Sequence, residues 1–283
     1  MASEPMPSAE PSGDIRIRQV ATAEEYEACV AVQRSAWGET FTDLLPAFHL
    51  QIAHETGGIV AGAFGDGGRL LGFVFGVPAL EDGTVYHWSH MLAVRPEARG
   101  GGLGTRLKLR QRELLLDRGV RTARWTFDPL EARNAHINLN RLGCRVESYE
   151  VDLYGRDTGS PLHEGLGTDR FVVTWDLTSP RVERALARDG APDLARFRSA
   201  PAVGDPDLEE ADRPAPIGGP RVRVVIPARI QEAKAADPQS GRRWRRRSRR
   251  ALRRYLERGY EVVGLSRSAG SSRAAYCLER RSD

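Results

Sequence analysis

The strand-to-helix passage over residues 84–118 carries the residue types best placed to do chemistry. Val94-Arg95-Pro96-Glu97-Ala98-Arg99 leads into Gly100-Gly101-Gly102-Leu103-Gly104-Thr105, and a helical apolar period follows to Arg118. Backbone N–H groups at a helix start lack intrahelical partners and carry partial positive charge. Glycines let that backbone approach a pyrophosphate closely, and Arg99 adds a cation at the rim. The pattern lacks the Gly-Lys-Ser/Thr of a P-loop. It also does not follow the first strand of a parallel sheet, as a dinucleotide fingerprint does. From the residues alone, a plain glycine-rich turn explains it as well as a phosphate cradle does. In the strand before it, Tyr86, Trp88, His90, Leu92 and Val94 share one face, and His87, Ser89, Met91 and Ala93 the other. An imidazole titrating near neutrality suits proton transfer. His90 therefore reads either as a proton carrier or as a hydrogen-bonded core histidine, and His87 reads as core.

Several elements must position these groups. Residues 1–13 read as a disordered tail rich in Pro, Ser and Glu. Asp14–Val20 alternates as a short strand. Thr22 opens a helix to about Ala36, and Phe41–His54 reads as a broken helix with Pro46 near its start. Strand signals cover Ile59–Phe64, Leu70–Val77 and Thr84–Val94, then Thr122–Phe127 after the helix. Asp128-Pro129-Leu130-Glu131 reads as an N-cap followed by proline at N1, opening a helix that ends at Gly143. Cys144–Leu153 and Arg170–Leu177 complete a β-α-α-β-β-β-α-β-α-β-β order over residues 14–178. The Pro- and Gly-rich stretch 188–220 reads as a linker between a domain over 14–187 and a small αβ extension over 221–283. The extension has a strand at Arg221–Ile226, a helix at Arg242–Arg258, and strands at Tyr260–Ser266 and Ala274–Leu278. Its order of helix, "ERGYEVVGLSR", loop and "AAYCLER" echoes helix, "RLGCRVESYEV", loop and "RFVVTWDL" upstream.

The spacing Arg99-x-x-Gly102-x-Gly104, after a long strand and before a helix, is similar to the acyl-CoA loop of the GNAT N-acyltransferases. The element order of residues 14–178 resembles that superfamily as well. "SHMLAV", "GLGTRLKLRQRE", "WTFDPLEARNAHINLNRLG" and "TDRFVVTW", with the Trp-Arg helix near the C-terminus, resemble a bacterial group of predicted GNAT acyltransferases. The resemblance covers nearly the whole chain. It implies an α/β GNAT fold, a mixed and mostly antiparallel sheet flanked by helices, with the C-terminal extension as a partial repeat. It implies an acyl-CoA-dependent N-acyltransferase, with acetyl-CoA as the default donor and succinyl-CoA as the alternative. The acceptor it suggests is a small-molecule amine such as an amino acid. The competing readings are a protein N-acetyltransferase and a noncatalytic acyl-CoA-binding or nucleic-acid-associated module.

The same resemblance assigns residues. Arg99, Gly100, Gly101, Gly102, Gly104 and Thr105 would hold the pyrophosphate, with Leu92, Val94 and Asn134 on the pantetheine. In the serotonin N-acetyltransferase type of GNAT enzyme, a histidine at the spacing of His90 belongs to the proton path. His90, directly or through water, is thus the expected base. The superfamily often places a tyrosine four residues before the glycine that ends the helix after the fifth strand; counting back from Gly143, that position is Leu139. Tyr149, Tyr154, Cys144 or water then remain as acids, or the thiolate leaves unassisted.

For the acceptor, Trp37, Phe41, Trp88, Trp125 and Asp128 read as pocket lining or as core. Arg170 reads as a bidentate holder of a carboxylate or as the partner of Asp169 in a structural pair. Asn134, Asn138 and Arg141 fall on one stripe of the 129–142 helix. No HExxH and no Asp-rich calcium loop is present, so no metal is implied.

With 283 residues, 40% apolar and 28% charged, the chain is a globular protein of one large or two small domains. No apolar run reaches the length of a membrane span, the N-terminus does not read as a signal peptide, and three scattered cysteines suit a reducing cytoplasm. The net charge of +4 hides an asymmetry: residues 221–283 hold 18 Lys+Arg against 6 Asp+Glu, a balance of +12, leaving −8 for residues 1–220. Nine of the thirteen residues from Arg242 to Arg254 are arginine. Trp244, Ala251, Leu252, Tyr255 and Leu256 give that helix an apolar stripe, which favours docking on the acidic part of the chain. Contact with the CoA 3′-phosphate is a further reading. Nucleic-acid binding is the minority reading, because no motif for it accompanies the arginines. A homodimer is left open.

Overall fold

The computed structural model describes residues 14–156, 158–187, 192–207, 219–268 and 270–281. The expected tail over 1–13 lies outside them, as do residues 188–191 and 208–218 of the expected linker. The chain divides into two compact units. One comprises Met1–Ala36, Leu44–Val77 and His90–Leu114; the other comprises Trp37–Asp43, Pro78–Ser89 and Leu115–Asp283.

In the first unit, β1 (Arg16–Gln19) is followed by α1 (Ala23–Trp37) and α2 (Ala47–Glu55). Pro46 is the N-cap of α2, so the helix expected from Phe41 begins only after it. β2 (Ile59–Phe64) pairs antiparallel with β1 and with β3 (Leu70–Glu81), and is buried throughout. The C-terminal part of β4 (Thr84–Val94) runs close to β3: a Cβ on Gly72 would lie 2.7 Å from the Ala93 carbonyl oxygen, so only glycine fits there. α3 (Leu103–Asp117) then packs through Leu103, Leu107 and Leu114.

In the second unit, the N-terminal part of β4 pairs parallel with β5 (Thr122–Phe127), with His87 opposite Ala123. The chain continues through α4 (Ala132–Ala135) into a π-helical stretch, His136–Arg141, marked by the Leu142 N–H donating to the Ile137 carbonyl. β6 (Arg145–Glu150) and β7 (Arg170–Asp176) follow, and the strand order is β4-β5-β7-β6. The Asp128 side chain does accept the Leu130 N–H, at 2.8 Å, but regular helix starts at Ala132. Glu131, at φ −82° and ψ 81°, keeps the expected first turn out of the helix.

After α5 (Pro180–Leu186), capped by Ser179, a second sheet forms. Its strands are β8 (Ala202–Val203), β9 (Arg221–Pro227), β10 (Tyr260–Arg267) and β11 (Arg273–Arg280), in the order β8-β9-β11-β10. β8 lies within the expected linker, and Phe197 and Ala200 of the same stretch are buried beside Cys277. The order repeats that of β4-β5-β7-β6, with the same parallel first pair and the same antiparallel remainder. Gly143 and Gly259 both have positive φ after the preceding helix, and the bulges in β6 and β10 fall at the same distance beyond them, between Val146 and Ser148 and between Val262 and Gly264. The echo in the sequence is a structural repeat.

α6 (Ile230–Ala236) and α7 (Pro238–Leu256) complete the repeat. α7 starts at Pro238 rather than Arg242, capped by the Asp237 carboxylate on the Gln239 N–H at 2.9 Å. Its buried face is Gly241, Trp244, Arg245, Ser248, Leu252 and Tyr255, whereas Ala251 and Leu256 are only half-buried. Of the expected stripe, those two stand aside, and an arginine and a serine take part instead. Tyr276 of β11 donates from its hydroxyl to the Pro129 carbonyl at 2.7 Å, so the second sheet is anchored beside the β5–α4 turn. Asn140 makes two hydrogen bonds to the Leu265 backbone, at 2.8 and 2.9 Å. Gly264 permits this approach, since a Cβ there would lie 2.9 Å from Asn140 Oδ1. Among the described residues, no helix is long and apolar enough to cross a membrane.

Trp244 is 2% exposed and anchors α7. Trp244→Ala is expected to cost about 3–5 kcal/mol of unfolding free energy, the range for emptying a large aromatic site. Urea denaturation reads this, and a loss under about 1 kcal/mol would contradict a packed anchor.

Candidate active site

In the first unit, β4 delivers the chain into the glycine loop. Its burial alternates as expected: Met91 and Ala93 are buried, Leu92 and Val94 are half-buried, and His90 is exposed. The His90 ring stands edge-on to Phe75, with centroids 6.0 Å apart. A tight turn at Pro96–Ala98 then leads to Gly100 and Gly102, whose φ values of 110° and 77° are in the left-handed region. Cβ atoms built on Gly100, Gly101 or Gly102 would meet nothing within 4 Å, so the loop backbone is open on that side. The Gly102 carbonyl accepts the Arg106 N–H at 3.1 Å, making Gly102 the cap of α3. The amides of Leu103, Gly104 and Thr105 therefore fall in the first helical turn, where no intrahelical acceptor exists. Gly104 lies over Leu92: its Cβ would sit 3.6 Å from Leu92 Cδ2, an ordinary contact. Arg99 is exposed, and its Nε donates to the Val94 carbonyl at 3.0 Å, fixing the strand end to the loop.

Among the candidates in the second unit, Trp37 is half-buried and its ring packs against Phe41, with centroids 5.4 Å apart. Trp88 is half-buried on β4, and Asn134 is exposed on α4. Asn138 does not share a surface stripe with Asn134 and Arg141. The π-helical turn carries it inward, where its Oδ1 accepts from Trp125 Nε1 at 3.3 Å. Leu139, at the position where a tyrosine was sought, is buried. Among the substitutes considered, Cys144 is fully buried and Tyr149 donates to Asp169 in a short hydrogen bond. Burial, then the Asp169 carboxylate against the opposing pull of Arg245, raises the Tyr149 hydroxyl well above the usual tyrosine range. Tyr154 is exposed, with its hydroxyl 3.0 Å from Thr126 Oγ1.

Asp128 and Arg170 correct the expectation of an open acceptor pocket. They face each other at 3.8 Å, both nearly sealed, and Arg245 reaches from α7 to Asp128 at 2.5 Å. Burial pushes the Asp128 carboxyl up, but Arg245 and then Arg170 outweigh it and hold it below the usual range. One turn further along α7, Arg249 grips Asp169 with Nε and an Nη at 2.7 and 2.6 Å. Asp169 and Arg170 are thus not each other's ion-pair partners; each is matched across the sequence. Arg245 and Arg249 were missed as functional to the fold because arginines in so basic a run read as solvated. Their i, i+4 spacing beside Trp244 was the available signal.

His163 completes the network. Arg170 has only donors, so His163 Nε2, 3.0 Å from the Arg170 guanidinium, accepts and carries no proton. The Nδ1 proton then faces Thr158 Oγ1 at 2.7 Å. Burial, then the Arg170 charge, lowers the His163 pKa to about 4. The unfolded histidine, near the usual value of about 6.5, binds its proton first as pH falls. The neutral imidazole therefore supports the fold fully above pH 6.5, and this support is lost as pH drops toward 4. Unfolding free energy measured across that window should fall more steeply in the natural chain than in His163→Gln. Parallel curves would contradict the neutral, buried assignment.

Residues 20–142 match the model of the acetyltransferase (GNAT) family. No curated protein matches the chain. The ribosomal-protein-S18-alanine N-acetyltransferase of Escherichia coli is 17% identical with a TM-score of 0.46, over 59% of this chain and 96% of that one. PaiA N-acetyltransferase of Thermoplasma acidophilum, solved with coenzyme A, is 17% identical with a TM-score of 0.42, over 58% of this chain and 99% of that one. Arylalkylamine N-acetyltransferase 2 of Aedes aegypti is 14% identical with a TM-score of 0.43, over 58% of this chain and all of that one. None of these likenesses reaches a TM-score of 0.5, and none bears on the acceptor. The family match spans β2–β4, the glycine loop, α3, β5 and α4, so residues 20–142 match a GNAT acetyltransferase domain.

Proposed function

We propose that the protein transfers an acetyl group from acetyl-CoA to the amine of a small molecule such as an amino acid, with His90 as the proton acceptor. The observation that carries this reading is the run of β4 into an open glycine loop at the start of α3, with His90 exposed on the strand face it shares with Leu92 and Val94. The loop amides around Gly100–Thr105 hold the pyrophosphate of CoA, and Arg99 adds charge at the rim. The Leu92 and Val94 backbone serves the pantetheine and the oxyanion, and Asn134 a pantetheine amide. Arg99 supports the strand end by engaging the Val94 carbonyl.

The amine must be neutral to attack the thioester carbonyl. His90, directly or through water, takes its proton as the new C–N bond forms; the C–S bond breaks and the CoA thiolate leaves. Of the two tyrosines considered as acids for that thiolate, Tyr154 keeps an exposed hydroxyl, whereas Tyr149 is tied to Asp169. Trp37 and Trp88 remain acceptor-side candidates. Asp128 and Arg170 do not, since they are spent on one another and on Arg245.

A turnover screen with acetyl-, succinyl- and malonyl-CoA against amino acids, small amines and a peptide N-terminus tests the reading. Free CoA release with acetyl-CoA and a small amine supports it; release only with the peptide would favour a protein acceptor. Gly101 has no positive φ and open space around it, so Gly101→Glu should fold normally and bind CoA at least tenfold more weakly. Unchanged affinity would remove the loop from CoA binding. His90→Ala should lower kcat by about a hundredfold, as for loss of a general base, and erase the acidic limb of the pH–rate profile. Wild-type kcat across pH would refute the assignment.

A further inference from the structure

Behind the π-helical stretch, the second unit contains a cavity of about 670 Å³. It is lined by Arg133, His136 and Asn140 of the α4 region, by Arg198, by Arg223 of β9 and by Arg267 at the end of β10. Among the described residues, no aspartate or glutamate lines it. Several other arginines in this unit are matched with carboxylates: Arg245 with Asp128, Arg249 with Asp169, Arg273 with Asp205 and Asp207, Arg221 and Arg196 with Glu279. Among the described residues, Arg133, Arg198 and Arg267 have no carboxylate within ion-pair distance, and Arg223 spends its Nε on the Ala200 carbonyl. Four arginines thus line one concave space with no carboxylate among its described lining residues. Converging charge of one sign raises the local concentration of opposite ions, and the guanidinium fork suits phosphate and carboxylate oxygens.

The volume falls within the range for small-molecule sites, about 300–1,000 Å³. The walls are also fixed in place. Asn140 is locked by its two hydrogen bonds to the Leu265 backbone and lies 3.2 Å from His136 Nδ1. Burial, then Arg141 and Arg267, lowers the His136 pKa.

We propose that this cavity binds a small, multiply charged anion, a phosphate ester or polycarboxylate, at a site separate from the glycine loop. The inference does not depend on the acyl donor or acceptor. It follows from four arginines lining one concave space with no carboxylate among its described lining residues.

The test uses the full chain with two probes, inorganic pyrophosphate and citrate, at constant ionic strength, by calorimetry and by NMR titration of His136. The expected result is saturable binding of at least one probe and an upward shift of the His136 pKa when the probe is bound. Arg198→Gln/Arg267→Gln, both at exposed positions, should weaken binding at least tenfold. Binding of pyrophosphate alone marks a phosphate-ester site, and binding of citrate alone marks a polycarboxylate site. Two results would overturn the proposal: no saturable binding of either probe, or binding that survives the arginine pair but is lost in Gly101→Glu. The second would place the anion on the glycine loop. Should the double variant fold poorly, an unmoved His136 titration in the natural chain, with saturating probe, refutes the site by itself.

Discussion

Two buried carboxylates, Asp128 and Asp169, organise the second unit. Asp128 follows the end of β5 and Asp169 precedes β7, and these two strands are antiparallel neighbours with Phe127 opposite Phe171. The two residues therefore lie at the same end of these neighbouring strands. Arg245 and Arg249, one helical turn apart on α7, reach both. Removing such charges from water is costly, and the attraction between partners repays it only with good geometry. The pairs are thus best understood as fixing where α7 docks, while Trp244, Leu252 and Tyr255 supply the apolar contact. Burial also shields the pairs from salt, so docking should respond weakly to ionic strength.

The second sheet copies the later half of the transferase sheet down to the bulge after the helix-ending glycine. Its first strand is shorter: β8 is only two residues long, against eleven in β4. The repeat carries arginines on α7, where Arg243, Arg245, Arg249 and Arg253 meet carboxylates, and Arg223 and Arg267 of β9 and β10 line a cavity with none among its described lining residues. The two copies have diverged in charge more than in topology.

The order of elements through residue 178 was legible because apolar periodicity and helix-ending glycines mark it directly. The glycine loop was legible for the same reason: a strand, a glycine cluster and a helix in succession leave few backbone paths. Other features leave no such trace. The π-helical turn at His136–Arg141 depends on tertiary contacts of Asn138 and Asn140, and moves Asn138 from an expected surface stripe to Trp125. The Asp128 cap was read correctly as a residue and wrongly as a helix start, because its carboxylate serves both the Leu130 amide and Arg245. Arg245 is 117 residues from Asp128, and Arg249 is 80 from Asp169; sequence spacing does not reveal such pairs. Without them, Asp128 and Arg170 looked available for a substrate.

The central claim is that Asp128 and Arg245 are energetically coupled in the docking of α7. A double-mutant cycle with Asp128→Asn and Arg245→Met, read as unfolding free energy in urea, measures that coupling. Each single variant should cost about 3–5 kcal/mol, because it strands a buried charge. The double variant should recover at least about 1.5 kcal/mol of their sum, since the Asp128–Arg245 pair is then removed as a whole, and the loss of Asp128 from Arg170 is common to both Asp128 variants and cancels in the cycle. Costs that add within about 0.5 kcal/mol would show the two residues to be independent and contradict the account.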